Sequence, residues 1–318
     1  MRQSVACIAA LTFLTGVLGC SSSEKAGSGP GDPRDTSGAA ETGSEDCAPV
    51  EAFVPAGCLE VVEFDPEARG RWPDIERRQF DADGQELSRD TRGGEEPNTE
   101  RVCRTEWDGD RRLSETCAGV SVYAYVYSYS AEGFPESSTY DAGADGEIDK
   151  TWTYVTDAAG NIIEAAIDDD VDGMTDALQT FAWDVDGNRT EETWDYTYDG
   201  VVDFRRSYAW DDGLLVQELE DSDGDGVVDV EVVHQYNEFR RIVRSERFEG
   251  GGGTAAETTV WTYMACALDT KVTFDAGGNR TTNTYVVDDL GRVVFQQEDW
   301  NDDGVADRYW ASEWFCPS

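Results

Sequence analysis

Basic residues are scarce in this 318-residue sequence: 25 lysines and arginines stand against 67 aspartates and glutamates. The formal net charge is -42 and the pI is near 4.1. A nucleic-acid partner is therefore excluded as the default, because phosphate binding needs clustered Lys and Arg. A single histidine, His234, leaves no set for a multi-histidine metal site and little histidine acid–base chemistry. It lies in the alternating run Val232 to Tyr236 and reads as a strand residue. No G-x-S-x-G nucleophile turn, P-loop, H-E-x-x-H or dinucleotide fingerprint is present. Carboxylates that suit glycoside hydrolysis are too numerous to single out a pair. Aromatics, by contrast, are plentiful: 10 Trp, 13 Tyr and 12 Phe argue against wholesale disorder.

Residues 1–20 read as a secretory signal, with Arg2 as a short positive region and Val5 to Val17 mostly apolar. The run is too short for a spanning helix. Val17-Leu18-Gly19-Cys20 resembles the lipobox of bacterial lipoproteins, in which the cysteine becomes the lipidated first residue. That resemblance implies lipidation of Cys20, a membrane anchor and, with Ser21 following, sorting to the outer membrane. Residues 21–46 hold no aromatic and cannot bury enough surface to fold. They read as a tether with an r.m.s. span of about 25–30 Å. A β-repeat domain is expected over residues 47–318.

Once Cys7 leaves with the signal and Cys20 carries lipid, Cys47, Cys58, Cys103, Cys117, Cys266 and Cys316 remain. An even number in an exported chain implies disulfides. Sequential pairing is expected because it matches consecutive hairpins. Zinc competes weakly, since no C-x-x-C pair exists.

The strongest signal is a repeat. The pattern D-x-x-x-D-G-x-x-D begins at Asp141, Asp168, Asp195, Asp221 and Asp299. These starts lie 27, 27, 26 and 78 residues apart, and the long gap is three periods of 26. Two degenerate units are expected inside it, around Gly250 to Gly253 and Asp275 to Asn279. Half a period away runs a second motif, aromatic-Asp-x-x-Gly, as in Phe80 to Gly84 and Trp183 to Gly187. Looser copies start at Thr156, Trp210 and Val287. Asp and Asn cap such turns through the backbone, and Gly supplies positive φ. Between turns the aromatics alternate: Phe181 with Trp183, Tyr208 with Trp210, and Tyr123, Tyr125, Tyr127 with Tyr129.

Each unit is thus a strand–turn–strand–loop of an all-β antiparallel meander, with strands of six or seven residues. Eight or nine such units laid flat would make a ribbon of about 80 Å at about 4.8 Å per strand. Wide sheets normally curl, split or close. The expectation is one long twisted, curled sheet whose edges are covered by terminal segments, with a β-sandwich as the alternative. Trp183-Asp184-Val185-Asp186-Gly187-Asn188-Arg189, recurring among short strands over roughly residues 75–310, resembles the YD (RHS-type) repeat of bacterial surface proteins. That resemblance implies a continuous spiralling β-sheet at the cell surface.

The loop Asp221-Ser222-Asp223-Gly224-Asp225-Gly226-Val227-Val228-Asp229 offers oxygens at positions 1, 3, 5 and 9, with glycine at 6. This is the spacing of a calcium loop, although Val232 stands where an EF-hand carries its bidentate glutamate. It resembles the DxDxDG loops of repetitive extracellular calcium modules. Asp168, Asp170, Asp172 and Asp176 repeat the set, alongside Asp221, Asp223, Asp225 and Asp229. Asp299, Asn301, Asp303 and Asp307 nearly do. Gly143 and Thr197 weaken the other two loops at position 3. The same spacing also reads as plain Asp-Gly turns. Exposed rings such as Trp300, Trp310, Trp261 and Tyr263 suit either sugar stacking or cross-strand packing.

The combined expectation is a non-enzymatic, lipid-anchored cell-envelope protein with calcium-stabilised repeats that serve binding, adhesion or surface structure. A surface-anchored polysaccharide hydrolase using carboxylates is the alternative. The expected partners are the membrane, through Cys20, and a protein or glycan ligand.

Overall fold

The computed structural model describes residues 57–65, 74–92, 100–264, 267–288 and 292–316. The expected signal, its lipidated Cys20 and the tether over 21–46 lie outside these residues, as do Cys47 and Cys266. Within them the chain is all strand, and no helix occurs. The first strands are β1 (Leu59–Asp65), β2 (Asp74–Phe80), β3 (Glu86–Arg92), β4 (Arg101–Asp108) and β5 (Arg111–Gly119). Next come β6 (Tyr123–Tyr129), β7 (Pro135–Ala142), β8 (Lys150–Thr156), β9 (Ile162–Asp168) and β10 (Ala177–Trp183). Then follow β11 (Arg189–Asp195), β12 (Phe204–Asp211), β13 (Leu214–Asp221), β14 (Val230–Tyr236) and β15 (Ile242–Glu249). The last are β16 (Glu257–Met264), β17 (Ala267–Asp275), β18 (Arg280–Val287), β19 (Val293–Asp299) and β20 (Arg308–Phe315).

Every strand pairs antiparallel with its sequence neighbours, for example Phe181 with Glu192 and Tyr208 with Glu218. The meander then closes on itself. Val61 of β1 faces Arg77 of β2 on one side and Glu313 of β20 on the other. The result is a 20-stranded closed antiparallel barrel. This corrects both sequence expectations, the open curled sheet with covered edges and the β-sandwich. Closure pairs the N–H and C=O groups that an open sheet would leave along β1 and β20. A sandwich would press two walls into a dry core. Here Ile167 and Cys117 are the largest side chains that are fully buried, and most strand residues are half-exposed. If round, a ring of this strand number spans about 40 Å, from about 4.8 Å per strand and a tilt near 40°.

Cohesion therefore runs along the wall. Glu192 is one node: it accepts from Gln179 Nε2 at 2.8 Å, Trp194 Nε1 at 3.0 Å and Tyr208 OH at 3.3 Å. The Arg189 guanidinium lies 3.1 Å from Glu192 and 4.9 Å from the centre of the Tyr208 ring. Tyr123, Tyr125, Tyr127 and Tyr140 form a second node of touching rings. Burial pushes the Tyr127 and Tyr154 phenols up, so both stay neutral at physiological pH. Pairs such as Glu191–Glu192 and Arg205–Arg206 place charge on both faces in mid-strand. Neither face there presents the unbroken apolar band that a lipid-facing barrel needs.

The two rims differ. Turns joining even- to odd-numbered strands share one rim, and the aromatic-Asp motif forms several of them, as at Phe80-Asp81, Trp107-Asp108, Trp183-Asp184 and Trp210-Asp211. Asp184 N–H donates to Asn188 O, while Asp184 Oδ1 accepts from Asp186 and Asn188 N–H. The Asn188 amide and backbone hold the Asp184 carboxyl below the usual carboxylate range. Gly187 adopts φ 83°, and nothing would contact a Cβ there.

Just before each of these turns the ladder slips by one residue, as at Ala182/Trp183, Ala209/Trp210 and Gln235/Tyr236. This bulge aims the aromatic side chain back across the sheet. Trp183 Nε1 donates to Ile162 O and Trp210 Nε1 to Arg189 O, both at 2.8 Å. Trp107, Tyr129, Tyr236 and Tyr263 make the corresponding bond to the preceding hairpin. The sequence marks these rings as face residues; their polar tips are what join one hairpin to the next. Trp183→Phe should therefore lower stability by about 1–2 kcal/mol, the range of one hydrogen bond plus a half-exposed ring edge. An unchanged urea midpoint would show that the bond contributes nothing.

The cysteines follow the ring. Cys103–Cys117 joins directly paired residues of β4 and β5, as sequential pairing requires. Cys58, however, is bonded to Cys316, which corrects the expected Cys47–Cys58 and Cys266–Cys316 pairs. Closure sets the start of β1 beside the end of β20, a proximity that hairpin logic does not supply.

Candidate metal-binding loops

All five acidic loops follow odd-numbered strands and so share one rim, opposite the aromatic-Asp turns. The Gly250 to Gly253 loop joins β15 to β16 on the same rim, as its place in the repeat requires. The Asp275 to Asn279 connection also lies there but uses the short-turn geometry, with Asp275 Oδ1 accepting from Asn279 N–H at 2.8 Å.

Each acidic loop is organised by its own backbone. The position-1 carboxylate accepts from the position-6 glycine N–H, at 2.9 Å for Asp168–Gly173, Asp221–Gly226 and Asp299–Gly304. Asp141–Gly146 and Asp195–Gly200 do the same at 2.8 Å. The position-9 carboxylate accepts from the position-2 N–H, as in Asp176–Asp169 and Asp229–Ser222 at 2.7 Å, and Asp307–Trp300 at 2.8 Å. The position-5 carboxylate accepts from position 7, with Asp172–Met174 and Asp303–Val305 at 2.8 Å and Asp225–Val227 at 2.7 Å. The loops that lack an acid at position 3 make the same bonds. Positions 1, 5, 6 and 9 are thus accounted for by turn building.

Position 3 is what separates the loops. Asp170, Asp223 and Asn301 each accept from the position-5 N–H, at 3.3, 3.2 and 3.0 Å. With an acid there, carboxylate oxygens converge. Asp168, Asp170 and Asp176 bring oxygens within 4.8 Å of one another, and so do Asp221, Asp223 and Asp225. Asp172 and Asp229 are not part of these two sets. The loop of Asp299, Asn301, Asp303 and Asp307 gathers no three acids in this way among the described residues. Cys103, Glu115 and Cys117 also cluster, but the two sulfurs are bonded to each other.

The two convergent loops are not equivalent. Both oxygens of Asp168 have donors: Oδ1 from Asp172 N–H at 3.2 Å and Oδ2 from Gly173. Asp221 is 8% exposed, and its Oδ1 is buried with no donor. Its loop also packs against both of its neighbours along the rim. A Cβ on Gly224 would lie 2.0 Å from the Val202 carbonyl oxygen, and Gly250 N–H donates to Asp229 O at 2.7 Å. The sequence carries no sign of this difference, because Asp168 and Asp221 occupy identical positions in the repeat.

The remaining singled-out residues have partners in the wall. Trp310 stacks on Phe64 at 4.9 Å, and Arg308 sits 4.0 Å over the centre of Trp300. Lys271 lies 6.0 Å from the Trp261 ring. His234 Nε2 is 3.2 Å from Glu218 Oε1 across the strand pair.

The sequence matches no known protein family and no curated protein. Solved structures to which the chain is similar include the TcdB2-TccC3-Cdc42 complex, at 14% identity and a TM-score of 0.42. That alignment covers 74% of this chain, which spans 14% of the larger one. They also include a porin-like protein from Bacteroides uniformis, at 10% identity and a TM-score of 0.39, covering 83% of this chain and 98% of that one.

Proposed function

We propose that the chain is an exported, lipid-anchored protein of the outer membrane. Its calcium-stiffened barrel would serve binding, adhesion or surface structure and not catalysis. The observation that carries this reading is the division of the ring into two rims. β1 starts on the rim of the aromatic-Asp turns, where Phe80 N–H donates to Cys58 O at 2.9 Å. The N-terminal segment joins the barrel there, and the acidic loops project from the opposite end. Those five loops hold 20 of the 67 acidic residues on one rim. An anchor at one end and a charged display at the other suit a protein that holds cations and meets a protein or glycan ligand away from its membrane.

The anchor is tested first. Expressed in a bacterial host with radiolabelled palmitate, the full-length protein should take up label and fractionate with membranes. Cys20→Ser should lose both. A wild-type protein that stays unlabelled and fractionates as soluble would overturn the anchored reading.

A further inference from the structure

We infer that one divalent-cation site is built at Asp221, Asp223 and Asp225. It is distinct from the other acidic loops, which their own backbone satisfies. This deepens the calcium reading above by assigning it to a single place. At its centre is Asp221 Oδ1, buried and without a donor. A carboxylate oxygen that is buried without a donor costs free energy in any folded protein. Among the described residues it is the one carboxylate oxygen in that condition.

Neighbouring chemistry identifies what would satisfy it. Asp223 and Asp225 bring their carboxylates to the same spot, with oxygens of all three residues inside 4.8 Å. Carboxylate oxygens are the ligands that hard divalent cations such as calcium take. Three carboxylates crowded together without a cation would repel one another. Asp223 and Asp225 are exposed, so water can complete the shell of six to eight oxygens that calcium takes. The same loop rests on Val202 through Gly224 and on Gly250 through Asp229, so an ion there would stiffen three consecutive rim loops.

The test is a calorimetric titration of the full-length protein with calcium chloride, with a parallel melting curve. One calcium per chain should bind with a dissociation constant of about 0.1–1 mM, the range of extracellular modules. Asp223→Asn keeps the acceptor for Asp225 N–H but removes charge, and should weaken binding at least tenfold. Asp170→Asn, the same change one repeat pair earlier, should leave the titration unchanged. No heat and no calcium-dependent rise in melting temperature would overturn the site. Equal losses in Asp170→Asn and Asp223→Asn, or several equivalent ions per chain, would overturn its distinctness. Lipid labelling through Cys20 is read out separately, so failure of the anchored reading and failure of this site can be told apart.

Discussion

Replacing Cys58 and Cys316 together with serine should destabilise the barrel by about 5 kcal/mol, more than any other change considered. The bond closes a loop of 258 residues, whereas Cys103–Cys117 closes one of 14. On the chain-entropy account those loops correspond to about 5–6 and about 3 kcal/mol respectively. The larger figure falls on the seam, where β1 and β20 meet after nearly the whole chain has been laid down. Bringing such distant segments together is also what slows β-rich folding. Urea unfolding of the double variants Cys58→Ser/Cys316→Ser and Cys103→Ser/Cys117→Ser compares the two directly. The seam variant should melt about 10 °C or more below the wild type. Equal losses in the two variants would mean that the seam needs no covalent clasp.

Gly224→Ala should cost about 3 kcal/mol, through two effects that add. Gly224 has φ 69°, where a side chain costs about 1–2 kcal/mol. Its Cβ would also meet the Val202 carbonyl oxygen at 2.0 Å, so the backbone of one loop would have to move. Displacement of packed groups costs about 1–3 kcal/mol. Gly187→Ala is the control: φ is 83° but nothing lies within 4 Å, leaving only the conformational part. Thermal unfolding of both variants separates the contributions. If the two glycines prove equally costly to replace, the loops are not packed against each other at Gly224.

The hairpin repeat was legible because its punctuation is chemical. Asp at the start of each turn and Gly at its positive-φ position recur at fixed spacing, and the strands fill the interval. Even the worn units at Gly250 and Asp275 fall where the period puts them. Closure was not legible, because no residue of β1 or β20 announces its partner. Phe64 and Trp310 look like any other strand aromatics until they stack across the seam. Pairing of Cys58 failed for the same reason: sequence spacing speaks for hairpins and is silent about ends that meet. At the loops, spacing alone does not tell one acidic loop from another. The D-x-x-x-D-G-x-x-D pattern is satisfied by hydrogen bonds whether or not position 3 is acidic. Only burial and the missing donor set Asp221 apart from Asp168. The remaining 47 acidic residues still outnumber the 25 basic ones, so the rim explains where acid concentrates but not the whole excess.

The clasp at the seam also fixes a load path. A pull applied through the N-terminal segment reaches Cys58 before it reaches the first residue of β1. There the force divides, part running into β1 and part crossing the sulfur bridge to Cys316 and the end of β20. A lone terminal strand under tension could be peeled from its sheet one hydrogen bond at a time. This strand is bonded on both flanks and riveted at its pulled end, so the ring must share the strain between two staves from the outset. A tethered object dragged by flow or by a bound partner would be held at the joint where the chain would otherwise unravel first.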